Sequence, residues 1–249
     1  MDDEQLLRYS RQIMLPQVDV AGQETLANAT VLIVGMGGLG SPAAMYLASA
    51  GIGHLILADF DNVEISNLQR QIIHATDDIG RAKVDSAYDT LKRLNPAVTV
   101  TRFKQRLDDT TLQELVPQVQ LVIDGCDNFE TRFAVNRACV QHGKPLVSGA
   151  AIRFEGQVTV FTNDGEGPCY HCLYHEDGEE IQTCSENGVL APVTGMIGSM
   201  QAIEAIKVLL NLGDTLASKL LVIDALHMDI RTMKLKKDPA CTVCRGGKN

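Results

Sequence analysis

A continuous apolar run that ends in a glycine-rich turn constrains the fold of this chain more than any other feature. Residues 31–34 are Val-Leu-Ile-Val, and glycine then occupies positions 35, 37, 38 and 40. An unbroken run of branched apolar residues is typical of a strand buried on both faces of a sheet. Residues 41–50 are expected to form a helix. The segment therefore predicts the strand–turn–helix unit of a doubly wound α/β fold.

Further strands and helices alternate along the first 150 residues. Strands are expected at residues 55–59, 98–103, 121–124 and 145–148, and helices at residues 4–15, 81–94, 110–116 and 129–142. This alternation predicts a mostly parallel sheet. Later elements are an alternating strand at residues 152–161, an apolar helix at 196–212 and strands at 220–224 and 229–235. We therefore expect a Rossmann-like sheet whose C-terminal half is mixed or antiparallel.

Charge and composition exclude several classes of protein. The 249 residues carry a formal net charge of −9, which disfavours nucleic acid as the main partner because phosphate binding needs a basic face. The acidic N-terminus lacks the charged-then-apolar order of a signal peptide. Glu204 and Lys207 make the apolar segment 188–213 a poor membrane span. We expect a cytoplasmic protein that binds neither nucleic acid nor membrane.

The glycine spacing itself predicts a phosphate-binding turn. Gly35, Gly37 and Gly40 follow the Gly-x-Gly-x-x-Gly pattern between a strand and a helix. Glycines let the backbone approach a ligand closely, and the helix N-terminus offers free N–H groups. Asp59 ends the next strand, where its carboxylate can accept hydrogen bonds from ribose hydroxyls. On these residues alone, NAD and ATP remain equally suitable ligands.

Two cations beyond the acidic strand end favour a triphosphate. Arg70 lies in Ser-Asn-Leu-Gln-Arg-Gln at residues 66–71, and Lys83 ends Gly-Arg-Ala-Lys at residues 80–83. A triphosphate needs cations with directed donors. An NAD-dependent dehydrogenase has no need of an arginine-bearing loop directly after the ribose-binding strand.

Two Cys-x-x-Cys pairs predict a structural zinc site that ties the end of the chain back to the sheet. Cys169 and Cys172 form the first pair, and Cys241 and Cys244 form the second. Two such pairs supply the four thiolates of a closed tetrahedral site. His171 lies inside the first pair and is an alternative ligand.

Four motifs together resemble the ubiquitin-activating-type adenylating enzymes. They are Gly-x-Gly-Gly-Leu-Gly at 35–40, Asp-x-Asp-x-Val at 59–63, Ser-Asn-Leu-Gln-Arg-Gln at 66–71 and Cys-Asp-Asn at 126–128. The resemblance runs from residues 8–12 to the last Cys-x-x-Cys. Within this family, the chain is most similar to the molybdopterin-synthase sulfur-carrier branch, with the thiazole-pathway branch next.

The resemblance implies a site for ATP and Mg²⁺ in a homodimer. Gly38 would lie against the nucleotide, Asp127 would ligate Mg²⁺ with Asn128 beside it, and Arg11 would enter the active site of the other subunit. An alternative role for Asp127 is the N-cap of the following helix. The cofactor-binding residues would be Gly35, Gly37, Gly38, Asp59, Asp61, Ser66, Asn67, Leu68, Gln69, Arg70, Lys83, Asp127 and Asn128. The catalytic residues would be Arg11, Arg70, Lys83 and Asp127.

The implied reaction is adenylation of the C-terminal carboxylate of a small ubiquitin-like sulfur carrier that ends in Gly-Gly. A C-terminal carboxyl group has a pKa of about 3.5, so it is already ionised and needs no base. Positioned cations and Mg²⁺ suit the charge that develops on the phosphates. The products would be an acyl-adenylate and pyrophosphate, and a separate protein would donate sulfur.

The remaining cysteines and one glycine-rich stretch have open interpretations. Cys184 matches the position of a thiol proposed to form a covalent link with the carrier, although a non-essential thiol is the alternative. Cys126 and Cys139 are expected to be small buried residues. Residues 188–198 form either a crossover above the carrier tail or an ordinary loop.

We expect one adenylating domain over residues 1–249. Residues 1–27 would be an N-terminal helical segment, residues 28–150 the nucleotide-binding half and residues 151–249 the carrier-binding and zinc half. The same reaction on the thiazole-pathway carrier is the first alternative. An NAD-dependent oxidoreductase and a non-catalytic carrier-docking scaffold are more remote.

Overall fold

The computed structural model describes residues 1–175 and 188–245. Eight strands form its sheet: β1 (Thr30–Val34), β2 (His54–Ala58), β3 (Thr99–Phe103), β4 (Leu121–Asp124), β5 (Leu146–Ile152), β6 (Glu155–Phe161), β7 (Lys219–Asp224) and β8 (Asp229–Lys234). Their order is β3-β2-β1-β4-β5-β6-β7-β8. Pairing is parallel from β3 to β5 and antiparallel from β5 to β8. The expected Rossmann-like sheet with an antiparallel C-terminal half is confirmed.

Helices cover both faces of this sheet. The described helices are α1 (Asp3–Arg8), α2 (Ser10–Ile13), α3 (Asp19–Ala27), α4 (Gly40–Ser49), α5 (Lys83–Leu94), α6 (Asp109–Leu115), α7 (Phe129–His142), α8 (Tyr170–Leu173) and α9 (Ala191–Leu210). Short 3₁₀ turns lie at Ile65–Asn67, Thr76–Asp78 and Val116–Gln118.

The apolar run of β1 fills two cores at once. Val31 and Ile33 pack on one face with apolar residues of α4, α5 and α9. Leu32 and Val34 pack on the other face with residues of α6 and α7. Successive side chains of a strand point to opposite faces, so an uninterrupted apolar run suits a strand covered on both sides. Full burial of each such side chain contributes about 1.5–3 kcal/mol relative to exposure.

Helix α9 replaces most of the loop expected at residues 188–198. Only residues 188–190 are extended, and they pair with Arg153, whose N–H donates to the Gly188 carbonyl over 2.8 Å. Pro192 lies at the start of α9, where its fixed φ suits the first helical turn. Gly198 permits close packing, since a Cβ there would be 2.3 Å from the Leu39 carbonyl oxygen. Gly198 therefore serves helix packing, and residues 191–198 form the start of α9 and not a crossover.

The same helix is long and apolar enough to pass a test for membrane spans, with a mean hydropathy of 1.3. Its buried residues, which include Val193, Ile197 and Ala205, belong to the core beside the sheet. A core helix passes the same test by length and composition. We therefore interpret α9 as a core helix.

Several element boundaries differ from those expected: the strand expected at 152–161 begins at Glu155, for example, and the helix expected at 196–212 spans Ala191–Leu210. Two further differences follow from contacts in the fold. The helix expected at residues 4–15 is two short helices that meet at Tyr9, whose buried hydroxyl accepts a hydrogen bond from Asn95. The strand expected at 145–148 extends to Ile152, because it forms a hairpin with β6. Both differences arise from contacts with residues that a local sequence pattern does not contain.

Replacement of Gly40 by alanine is expected to destabilise the fold strongly. A Cβ at this position would lie 1.8 Å from the Gly35 carbonyl oxygen, so the turn and α4 would have to separate. We expect the free energy of unfolding to fall by about 3 kcal/mol or more. Gly195→Ala is the matched control, since a Cβ there meets nothing within 4 Å. Chemical denaturation should show a change of about 0.5–1 kcal/mol in the stabilising direction for the control. Equal midpoints for the two variants would contradict this packing.

Candidate active site

The candidate active site lies where the strand order of the sheet reverses. From β1 the chain builds one side of the sheet with β2 and β3. It then returns to the other side of β1 with β4 and β5. Open α/β sheets bind ligands in the crevice at the carboxyl ends of such strands. The glycine loop follows β1 and residues 125–128 follow β4, and a cavity of about 310 Å³ opens between them.

The glycine-rich loop presents backbone donors to this cavity. Gly35 has a φ of +91°, and a Cβ there would lie 2.8 Å from the Gly125 carbonyl oxygen. Gly37 and Gly38 line the cavity. Within the described ranges 1–175 and 188–245, their N–H groups donate no hydrogen bond. Free amides before the first turn of α4 are suited to an anion such as a phosphate.

Asp59 connects the end of β2 to the glycine loop. Its Oδ2 accepts a hydrogen bond from the Met36 N–H over 2.7 Å, and its Oδ1 accepts one from the Asp61 N–H over 2.9 Å. Burial raises the pKa of the Asp59 carboxyl, and the charge of Lys83 offsets part of this effect. The carboxylate lines the cavity and keeps lone pairs for further donors, as a ribose would provide.

Two of the predicted cations line the same cavity. Lys83 Nζ donates to Asp61 Oδ2 over 2.8 Å, and the lysine side chain is only 8% exposed. Arg70 Nη1 donates to the Ser66 carbonyl oxygen over 3.1 Å. Both side chains reach the cavity from the segment after β2. Asp61 holds Lys83 in place, so the ammonium group is fixed before any ligand arrives.

Asp127 lies exposed at the cavity, directly after β4. The N-cap of α7 is Asn128, whose side-chain oxygen accepts the Thr131 N–H over 2.9 Å. The alternative role of Asp127 as this N-cap is therefore wrong. Among residues 1–175 and 188–245, the Asp127 carboxylate has no hydrogen bond or ion pair. A free carboxylate beside a phosphate site has the hard oxygen ligands that Mg²⁺ prefers.

Other predicted residues lie outside the cavity. The residues of the segment 66–69 do not line it; they are Ser66, Asn67, Leu68 and Gln69. Their backbone instead helps to position Arg70, because the Asn67 carbonyl oxygen accepts a hydrogen bond from the Arg70 N–H over 3.1 Å. Arg11 is exposed on α2 and also lies outside the cavity. Its assignment to the active site of another subunit stays a prediction.

Several cavity residues have no counterpart among the sequence predictions. They are Gln71, Gln105, Arg106, Phe129, Arg132, Gln157, Tyr170 and Tyr174. Gln71 follows the predicted Arg70 directly. Phe129 and Arg132 lie on α7, which follows β4 directly in the chain, whereas only the tertiary fold brings Gln157 of β6 and Tyr170 of α8 to the end of β4.

Arg132 supports the floor of the cavity through a buried charge network. Its guanidinium donates to the carbonyl oxygens of Cys126 (2.6 Å) and Gly149 (3.0 Å), and it lies 3.8 Å from the Asp124 carboxylate. Asp124 is 1% exposed, so it requires a nearby cation or several donors. An aspartate at the end of a buried strand needs a cation nearby, so Asp124 was the sequence signal that could have indicated Arg132.

Cys126 and Cys139 are buried, as expected. The Cys126 thiol donates to Asp124 Oδ1 over 2.6 Å. Burial, followed by the Asp124 charge, raises the pKa of both thiols. Both therefore remain protonated and unreactive at neutral pH. Cys184 lies outside the described residues.

Cys169, Cys172, Cys241 and Cys244 form a cluster whose four sulfur atoms all lie within 4.8 Å of one another. Sγ of Cys169 is 3.8 Å from that of Cys241, and Sγ of Cys172 is 3.4 Å from that of Cys244. A tetrahedral zinc ion with Zn–S bonds of about 2.3 Å separates its sulfur ligands by about 3.8 Å. His171 Nδ1 lies 3.7 Å from the Cys241 sulfur, outside the four-sulfur set. The cluster thus fits a metal held by four thiolates.

Comparisons with known proteins agree with this geometry. The chain matches the ThiF family over residues 9–243. It is 50% identical to the molybdopterin-synthase adenylyltransferase of Escherichia coli (strain K12) over 245 residues, which cover 98% of each chain. It is 47% identical to the adenylyltransferase and sulfurtransferase MOCS3 of Sus scrofa, and the match covers 98% of this chain and 54% of that protein.

Solved structures support the same assignment. The crystal structure of E. coli MccB with ATP has a TM-score of 0.84 and 26% identity, and the match covers 95% of this chain and 73% of that one. The structure of PaaA has a TM-score of 0.81 and 27% identity, with 96% and 76% covered. The resemblance to ubiquitin-activating-type adenylating enzymes is confirmed. The chain belongs to the ThiF family.

Proposed function

We propose that this chain uses ATP to adenylate the C-terminal glycine carboxylate of a small ubiquitin-like sulfur carrier for molybdenum cofactor biosynthesis. One observation carries the proposal. The Gly37 and Gly38 amides, two cations and the Asp127 carboxylate converge on one cavity at the switch point of the sheet, and neither the amides nor the carboxylate has a hydrogen-bond partner among the described residues. The near-full-length similarity to molybdopterin-synthase adenylyltransferases supports the choice of carrier.

The proposed reaction needs electrostatic help more than it needs a base. A carboxylate oxygen of the carrier attacks the α-phosphorus of ATP, and the bond from that phosphorus to the bridging oxygen breaks. Pyrophosphate leaves with the electron pair, and the carrier becomes an acyl-adenylate. The attacking group is already ionised because its pKa is about 3.5. The enzyme must therefore bring two anions together and stabilise the charge on the departing group.

The residues of the cavity divide this work. Asp59 would hold the ribose, and the Gly37 and Gly38 amides would receive phosphate oxygens. Arg70 and Lys83 would neutralise the phosphates, and Lys83 is held ready by Asp61. Asp127 would hold Mg²⁺, which would neutralise charge on the phosphate oxygens.

The assembly around this site is also proposed. Arg11 is exposed and outside the cavity of its own chain, which suits a homodimer in which it enters the site of the other copy. The carrier would end in Gly-Gly, and a separate protein would supply sulfur to it. The proposed compartment is the cytoplasm, where free thiols persist. A covalent link between Cys184 and the carrier remains one of two options for that thiol.

The cysteine cluster would hold a structural zinc ion in the same enzyme. The four sulfur atoms lie close enough to one another for tetrahedral thiolate coordination, which supports this proposal. The second Cys-x-x-Cys pair follows β8. In the first pair, Cys169 directly precedes α8 and Cys172 lies within its single turn. Zinc would therefore tie the end of the chain to the wall of the cavity that Tyr170 forms.

Carrier-dependent exchange of labelled pyrophosphate into ATP tests the proposed function. The purified chain is incubated with ATP, Mg²⁺ and labelled pyrophosphate, with and without a molybdopterin-branch carrier. Exchange only in the presence of the carrier is the expected result, since the reverse reaction requires the acyl-adenylate. Exchange that needs no carrier, or none at all, would refute the proposal. If exchange occurred with a thiazole-pathway carrier and not with the molybdopterin-branch carrier, the enzyme would be assigned to the thiazole pathway.

A further inference from the structure

A buried histidine lies beneath the glycine-rich loop and does not line the cavity. His74 is 7% exposed. Its Nε2 lies 3.0 Å from the Met36 carbonyl oxygen, and its Nδ1 lies 2.8 Å from Ser86 Oγ. A carbonyl oxygen can only accept, so Nε2 carries the proton and donates to it. In the neutral ring, Nδ1 then carries no proton and lies beside the Ser86 hydroxyl, which also interacts with the Asp78 carboxylate.

The charge state of this ring agrees with that arrangement. Burial lowers the pKa of His74, and the nearby positive charge of Lys83 lowers it further. The hydrogen bond to Met36 and the negative charge of Asp78 act in the opposite direction without cancelling the shift. His74 is therefore a neutral, fully hydrogen-bonded side chain at neutral pH.

The bond from His74 orients a peptide group that faces the cavity. The Met36 carbonyl and the Gly37 N–H belong to the same planar peptide, in which they point in opposite directions. His74 holds the carbonyl on the interior side, so the Gly37 N–H is directed away from it. Gly37 lines the cavity, and its N–H has no acceptor among the described residues.

Because residue 37 is glycine, the Met36–Gly37 peptide could also adopt the opposite orientation. A glycine has nearly free φ, so the Met36–Gly37 peptide could rotate at little steric cost. After such a rotation, the carbonyl oxygen would face the cavity and repel a triphosphate. The preceding peptide is already held, because the Met36 N–H donates to Asp59. The bond from His74 thus selects the orientation that receives an anion.

We propose that His74 is a positioning residue that holds the Gly37 N–H towards the triphosphate of the bound nucleotide. The inference rests on the ATP site of the proposed function. Ser86 on α5 helps to fix the ring through its 2.8 Å contact with the other ring nitrogen. His74 does not line the cavity, so its effect would be exerted through the loop.

The test measures the dissociation constants of ATP and of adenosine, which has no phosphates, by titration calorimetry on the full chain. For His74→Leu, the ATP dissociation constant should rise by about tenfold or more, as expected for a hydrogen bond to a charged group. The adenosine constant should change by less than about twofold. His74→Gln keeps an N–H donor and should recover most of the ATP affinity.

Ile73→Ala is the control for a purely structural effect. Ile73 is buried beside His74 in the chain, and its replacement should lower the melting temperature while the ratio of the two constants stays unchanged. An unchanged ratio in folded His74→Leu would overturn the inference, as would a folded His74→Gln that fails to recover ATP affinity. If His74→Leu does not fold, Ser86→Ala decides: a weaker ATP affinity at constant adenosine affinity supports the inference, and an unchanged ratio overturns it.

The wild-type protein separates this inference from the proposed function. Wild-type chain that binds no ATP would contradict the proposed function itself. Wild-type chain that binds ATP while His74→Leu keeps the same ratio of constants would contradict only the role of His74.

Discussion

Asp127→Ala is expected to lower carrier-dependent pyrophosphate exchange by about 100-fold or more while the fold stays intact. The carboxylate is exposed at the cavity and forms no hydrogen bond or ion pair with the described residues, so its loss removes no packing. Asn128 caps α7 and remains in place. The melting temperature should therefore stay within about 2 °C, because substitutions at such surface positions usually change stability by less than about 0.5 kcal/mol.

Two further variants make this experiment specific. Asp127→Asn keeps the shape of the side chain and removes its charge, so it should lose nearly as much activity. Asp214→Ala removes another exposed aspartate, which lies outside the cavity, and should keep wild-type exchange. Near-wild-type exchange in Asp127→Ala would remove Asp127 from its assigned role.

Cys241→Ser is expected to release the bound zinc and to lower the free energy of unfolding by about 3 kcal/mol or more. The Cys241 sulfur is one of four that share a space of 4.8 Å, and three thiolates leave the metal incompletely held. Loss of the ion would free the second Cys-x-x-Cys pair from the first. Metal analysis of the purified variant and denaturation with and without a chelator measure the two effects.

Cys139→Ala provides the comparison within the same chain. Cys139 is a buried thiol on α7 and is not one of the four clustered cysteines. Its replacement should cost about 1 kcal/mol through lost packing and should leave zinc content unchanged. Wild-type protein with less than about half an equivalent of zinc, or a Cys241→Ser variant that keeps its metal, would contradict the zinc assignment.

Local patterns were sufficient for the nucleotide-binding half of the fold. The apolar run of β1, its glycine turn and α4 occur consecutively in the chain, so their order and spacing could be predicted from the residues. The strand Leu121–Asp124 and the helix Phe129–His142 have the expected bounds. The extent of both elements followed from the sequence, but the cap of the helix did not, since Asn128 and not the candidate Asp127 forms it.

Long-range contacts explain what the sequence did not predict. Residues 188–190 pair with Arg153 before α9 begins. Because of this pairing, only these three residues of the segment 188–198 lie outside the helix. Tyr170 enters the cavity because α8 packs against α7, a contact that no periodicity contains. His74 was missed for a similar reason, since its importance depends on the carbonyl above it and not on the residues around it in the chain.

Intact-mass analysis of the carrier tests the central claim most directly. The chain is incubated with ATP, Mg²⁺, inorganic pyrophosphatase and a molybdopterin-branch carrier, and a second sample contains the same carrier without its last glycine. We predict that the intact carrier gains the mass of one adenylyl group and that the shortened carrier gains none or far less. A carrier that stays unmodified while the enzyme binds ATP would contradict carboxylate adenylation as the function of this chain.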